Sequence, residues 1–105
     1  MDFEEMREKT LETLEKLKKS GAKDWEPEVR FIQLVEEIGE LANALLAENG
    51  HKPQKTKIFD LGDSFADVLF NLIILADKTG TDLEKEYEKM LKSLEKRIKK
   101  GEFKD

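Results

Sequence analysis

Leu61-Gly62-Asp63-Ser64-Phe65-Ala66-Asp67-Val68-Leu69-Phe70-Asn71-Leu72-Ile73-Ile74-Leu75-Ala76 is the stretch that decides the fold. Leu61, Phe65, Val68, Leu69, Leu72, Ile73 and Ala76 cover most of a helical circumference. The spacing predicts a helix from about Lys55 to Lys78 that is the most buried element of the chain, ended by Thr79-Gly80. One narrow arc differs. Asp60, Asp63, Ser64, Asp67 and Asn71 recur at intervals of three and four and stack within roughly 100°. Buried carboxylates without cations cost several kcal/mol, and Asp is a poor helix-interior residue, so folding stability does not account for the arc. Two readings stand: a set of hard oxygen ligands for Mg²⁺ or Mn²⁺, or a stripe facing solvent.

Working outward, Gly and the two prolines, Pro27 and Pro53, divide the chain into four pieces, each of which reads as a helix. The first carries Phe3, Met6, Leu11, Leu14 and Leu17 and stops at Ser20-Gly21. Pro27 opens the second, with Phe31, Leu34, Val35, Ile38, Leu41, Ala42 and Leu45 on its apolar face and Asn49-Gly50 at its end. A loop, His51-Lys52-Pro53-Gln54, precedes the third. Thr81-Asp82-Leu83-Glu84 has the form of a capping box, with the Thr81 hydroxyl and the Glu84 carboxylate satisfying the first amides of the fourth helix. Leu83, Tyr87, Met90 or Leu91, Leu94 and Ile98 form its stripe, and Lys99-Lys100-Gly101 suits its end. No strand pattern competes. The expected fold class is all-α, a four-helix antiparallel bundle-like arrangement.

The second helix also holds Glu36-Glu37-Ile38-Gly39-Glu40, whose three carboxylates share one side. Glu37 and Glu40 could grip one ion, or the group could be a solvated acidic face. Trp25, the only Trp, sits in the linker before this helix, where it can stack on a base or staple the first helix to the second. Lys85, Lys89, Lys92, Lys96 and Arg97 on the fourth helix read as a soluble face partnered by Glu84, Glu88 and Glu95. His51, the only His, lacks the Glu-x-x-His partner of a di-iron bundle.

The 105 residues make one domain, 1–105, since two cores would each fall below a self-sufficient size. With no cysteine there is no disulfide, thiolate nucleophile or iron–sulfur cluster, and a reducing cytoplasm is the expected location. The start, Met1-Asp2-Phe3-Glu4-Glu5, has neither a basic region nor an apolar run, and Val68 to Ala76 is too short to span a bilayer, so a soluble protein without a membrane partner is expected. A net charge of −5 opposes a phosphate-backbone binder, so no nucleic-acid partner is expected. Charged residues are 41% and hydrophobic ones 38%, a lean core that predicts burial of apolar surface against a second copy.

Leu34-Val35-Glu36-Glu37-Ile38-Gly39-Glu40-Leu41-Ala42, then Phe65-Ala66-Asp67-Val68-Leu69-Phe70, then Leu75-Ala76-Asp77-Lys78-Thr79-Gly80-Thr81-Asp82-Leu83 resembles the MazG-like all-α nucleoside triphosphate pyrophosphohydrolases, over roughly residues 24 to 98. That family has EExxE on one helix and ExxD on the next. Asp24-Trp25-Glu26 is similar to its dCTP pyrophosphatase branch. The resemblance implies Mg²⁺-dependent hydrolysis of a nucleoside triphosphate, of a non-standard or pyrimidine deoxynucleotide type, to the monophosphate and pyrophosphate, in a homodimer or homotetramer. It implies Glu36 and Glu37 as catalytic residues; Glu37, Glu40 and Asp67 as metal ligands; Lys89 and Arg97 on phosphate; and Trp25 and Asn71 at the base, while Asp63 or Asp60, on the same helix face as Asp67, is the expected substitute for an absent ligand. The pattern departs at Ser64, where the family has a ligating Glu, and at Ser93, where an Asn often stands. The site therefore carries one negative charge fewer than the family's.

Overall fold

The computed structural model describes residues 1–50 and 60–104. The expected loop at His51 to Gln54 and a helix start at Lys55 fall outside the described residues. Within them the chain is all-helical: α1 (Phe3–Lys19), α2 (Pro27–Glu48), α3 (Leu61–Lys78) and α4 (Leu83–Lys99). Pro27 occupies the first turn of α2, where its missing N–H costs nothing. Gly21, Gly50, Gly80 and Gly101 all have positive φ directly after the helix ends, the left-handed stop that residues with a Cβ rarely adopt.

Two helix starts differ from the sequence expectation. Asp60 does not belong to the α3 stripe; it is the N-cap, its Oδ1 accepting from the Asp63 amide at 3.0 Å. Asp82 rather than Thr81 caps α4, accepting from the Lys85 amide at 3.1 Å, while the Thr81 hydroxyl lies 3.0 Å from that of Thr79. An ionised carboxylate suits the positive end of a helix as well as a hydroxyl does, so adjacent Thr and Asp compete for the position and Asp takes it.

α3 is the hub, packing on α2 and on α1. Arg7 on α1 bonds Asp77 on α3 at 2.8 Å. Arg30 meets Asn71, and Glu37 meets Asp67, so ascending α2 descends α3 and the two run antiparallel. Leu14, Leu34, Ala44, Ile73, Ile74 and Ala76 form the buried apolar core.

The faces of α3 are not distributed as its pattern predicts. Ile73 and Ala76 are buried as expected, but Ser64 (4% exposed) and Asn71 (6%) are buried with them, while Phe65, Leu69 and Leu72 are exposed. On α2, Phe31, Val35, Ile38 and Leu45 are exposed too. Only the Ser64 and Asn71 part of the polar arc thus turns inward, Asp63 and Asp67 stay exposed, and much of the apolar surface faces outward. The four-helix bundle is also not closed within one chain: α4 packs on no other helix to the extent that α1, α2 and α3 do, and no residue of it is buried. Its stripe of Tyr87, Met90, Leu91 and Ile98 stands exposed. The radius of gyration is 17.2 Å, against about 13 Å for a compact chain of this size.

Candidate functional site

Heptad geometry puts Arg30, Leu34 and Glu37 on one side of α2, and Ser64, Asp67 and Asn71 on one side of α3; these sides meet. Glu37, Glu40 and Asp67 converge there, each offering a carboxylate oxygen within 4.8 Å of the others. Gln33, one turn before Glu37, donates Nε2–H to its Oε1 at 2.7 Å, which fixes the carboxylate. The second oxygen, Glu37 Oε2, is buried with no hydrogen-bond partner. Burial pushes the Glu37 carboxyl above its ordinary 4.5, and the neighbouring Glu40 adds to the shift. Burial likewise raises Asp67 above 3.8, with smaller contributions from the charges of Glu37 and Asp63.

Three acidic groups that repel one another, one with an orphaned buried oxygen, form a donor set suited to a small hard cation. Oxygens on opposite sides of an Mg²⁺ shell stand about 4.2 Å apart, so this spread closes with small side-chain rotations. The raised values also define a pH dependence. Where the folded pKa exceeds the unfolded one, the native state holds more protons, and stability falls as pH rises through that window. The cation-free protein is therefore expected to gain stability as pH falls through the raised Glu37 and Asp67 values toward the ordinary 4.5 and 3.8, and saturating Mg²⁺ to abolish that gain. Urea denaturation at several pH values, with and without the ion, measures both slopes.

The other expected site residues do not join these three carboxylates. Glu36 is exposed and lies outside the convergent set, and Asp63 is exposed at its rim, acting on Asp67 through its charge rather than joining the three. Lys89 and Arg97 sit on the unpacked α4, where Lys89 approaches Glu86 at 3.5 Å and Arg97 approaches Glu102 at 3.5 Å. One chain thus does not bring the cations to the carboxylates. Asn71 offers no exposed amide for a base, because its Oδ1 accepts from Arg30 at 3.0 Å and its Nδ2 donates to the Asp67 carbonyl at 2.9 Å. Trp25 is half-buried and stacks on Arg30, whose Cζ is 4.9 Å from the ring centroid.

Arg30 is the residue that sequence reasoning missed. A single Arg on an amphipathic helix ordinarily faces water, yet its spacing to Leu34 and Glu37 places it inward. Asp24, beside Trp25, is held by Lys18 of α1 and Lys78 of α3. Those two ammonium groups keep its carboxyl below 3.8, Lys78 contributing most.

The fold and site define an all-helical protein with a three-carboxylate cluster between two helices. Comparison with family models, with curated proteins and with solved structures gives no match for this chain. No helix among the described residues is long and apolar enough to cross a membrane.

Proposed function

We propose that this protein is an Mg²⁺-dependent nucleoside triphosphate pyrophosphohydrolase, cleaving between the α and β phosphates of a non-standard or pyrimidine nucleotide in the cytoplasm. The observation that carries the reading is the convergence of Glu37 and Glu40 with Asp67 across the α2–α3 interface, with Glu37 Oε2 left unsatisfied. The EExxE and xxxD spacings that suggest the family are the ones that place these three groups together. Mg²⁺, or Mn²⁺ in its place, would polarise the phosphates and lower the pKa of a bound water. Glu37, Glu40 and Asp67 would hold the ion, Gln33 would orient Glu37, and the exposed Glu36 stands one residue away to accept a proton.

Self-association belongs to this reading. α4 bears six cationic and four acidic residues, whereas α2 bears five acidic residues and one Arg. The uncovered stripe of α4 and the uncovered faces of α2 and α3 are both apolar, and pairing them between copies would bring Lys89 and Arg97 toward carboxylates that they do not reach within one chain. Light scattering is expected to give two or four times 12.2 kDa. A monomeric mass with full hydrolysis would overturn the shared arrangement.

A second reading, a nucleotide-binding or structural helical protein without turnover, is favoured by one specific observation. Ser64, where the resemblance implies a ligating Glu, is buried as a neutral side chain. Pyrophosphate release from a panel of nucleotides with Mg²⁺ and Mn²⁺ decides between them. Turnover establishes the hydrolase; cation and nucleotide binding without turnover establishes the second reading.

A further inference from the structure

We infer that Arg30 is a positioning residue, a buried clamp that holds the Trp25 ring in a fixed place relative to the carboxylate cluster. The clamp stands on geometry alone; only the use of the ring as a base platform rests on the nucleotide reading above.

Arg30 is 6% exposed, although arginine is among the residues least often found inside. Its guanidinium carbon lies over the Trp25 ring, its Nη1 donates to Asn71 Oδ1 at 3.0 Å, and its Nε is buried without a hydrogen-bond partner. Asn71 in turn donates to the backbone carbonyl of Asp67 at 2.9 Å. An unbroken chain of contacts therefore runs from the aromatic ring through a cation and an amide to the turn of α3 that carries one of the clustered carboxylates. Trp25 has no helix of its own to fix it. The linker is tied on one side by Asp24 to Lys18 and Lys78, and on the other by Arg30.

Burying a guanidinium with an unsatisfied donor is costly, and an apolar side chain of similar volume generally packs there at lower cost. What an apolar residue or a lysine cannot do is present a flat cation to an aromatic face while donating sideways to an amide; the planar guanidinium does both. Arg30 and Glu37 are two turns apart on α2, about 10.5 Å along the axis, which leaves room for a sugar between a base on Trp25 and phosphates at the carboxylates.

Because Trp25 is the only Trp, intrinsic fluorescence reads the clamp directly. In the wild-type chain, the Arg30 Nε–H is expected to give a nuclear magnetic resonance signal protected from solvent exchange; an averaged, rapidly exchanging signal would overturn the clamp. In Arg30→Met and Arg30→Lys, with folding checked by circular dichroism, acrylamide quenching of Trp25 is expected to rise at least twofold. KM for nucleotide is expected to rise about tenfold with kcat within about twofold, while the Mg²⁺ concentration at half-activation stays unchanged. Asn71→Ala, which removes the sideways acceptor and the bond to the Asp67 carbonyl but leaves the cation–ring contact, gives a smaller rise in quenching and serves if the Arg30 variants do not fold. Unchanged quenching in a folded Arg30 variant overturns the clamp, whereas increased quenching with unchanged KM upholds the clamp and overturns the use of the ring as a base platform. Increased quenching in a protein whose wild type releases no pyrophosphate upholds the clamp and removes the nucleotide reading instead.

Discussion

Asp67→Asn is expected to lower pyrophosphate release by at least about 100-fold, equivalent to about 2.7 kcal/mol of transition-state stabilisation. The substitution keeps size and shape but removes one of three charged donors, and Glu37 and Glu40 on a single helix cannot enclose an ion from the α3 side. The cation-free variant should be at least as stable as the wild type. Burial and the charges of Glu37 and Asp63 raise the Asp67 carboxyl above its ordinary value, so the ionised group is a strain on the fold that the amide lacks. Mg²⁺ is correspondingly expected to lose its stabilising effect; in the wild type, the ion at a hundred times its Kd adds about 2.7 kcal/mol. Activity assays and thermal melts with and without millimolar Mg²⁺ read both quantities. Retained activity removes the carboxylate cluster from the proposed chemistry, and lost activity together with a lowered cation-free melting point would reassign Asp67 to a structural role.

The helices were legible because their stops are local. Gly21, Gly50, Gly80 and Gly101 follow apolar periodic segments, and each takes the positive φ that ends a helix. Glu37, Glu40 and Asp67 were legible for a similar reason, since spacing within each helix fixes which side a residue occupies. The side of α3 that faces inward was not. A helix that is apolar around most of its circumference has no unique inner face, and the choice is made by the helices it meets. Here α2 brings Arg30, and Asn71 answers it, so Asn71 and Ser64 go inside, Asp63 and Asp67 stay exposed, and Phe65, Leu69 and Leu72 go out. The stripe of α4 was read correctly as amphipathic, but periodicity states that a face seeks cover without saying where the cover comes from. Arg30 escaped notice because its role depends on two residues far from it in the chain or off the helix, Asn71 and Trp25.

Ser64→Glu carries the second large effect, and burial changes what it should do. Ser64 is one turn before Asp67 on the same side of α3, so a carboxylate there would point toward the ion held by Glu37 and Glu40 and supply the charge that this chain lacks relative to the pattern it resembles. Yet Ser64 is 4% exposed inside the helix pair. A glutamate must displace packed neighbours and enter beside carboxylates that already repel one another. Without cation, the variant is expected to lose about 3 kcal/mol or more of stability, the usual cost of a buried, uncompensated charge. With Mg²⁺, the new ligand is neutralised by the ion, so the stability gained on adding the cation should exceed that of the wild type, and the cation should bind more tightly. Pyrophosphate release should then rise when measured in saturating Mg²⁺. Chemical denaturation across a range of Mg²⁺ concentrations distinguishes the outcomes. A variant destabilised equally with and without cation shows that Ser64 faces packed side chains and not the ion, and that the missing ligand is supplied from elsewhere, with the exposed Asp63 at the rim as the first residue to replace. A variant that binds Mg²⁺ more tightly but releases no more pyrophosphate shows instead that charge at the ion does not limit turnover, which shifts attention to the cations of α4 and to the second copy that would deliver them.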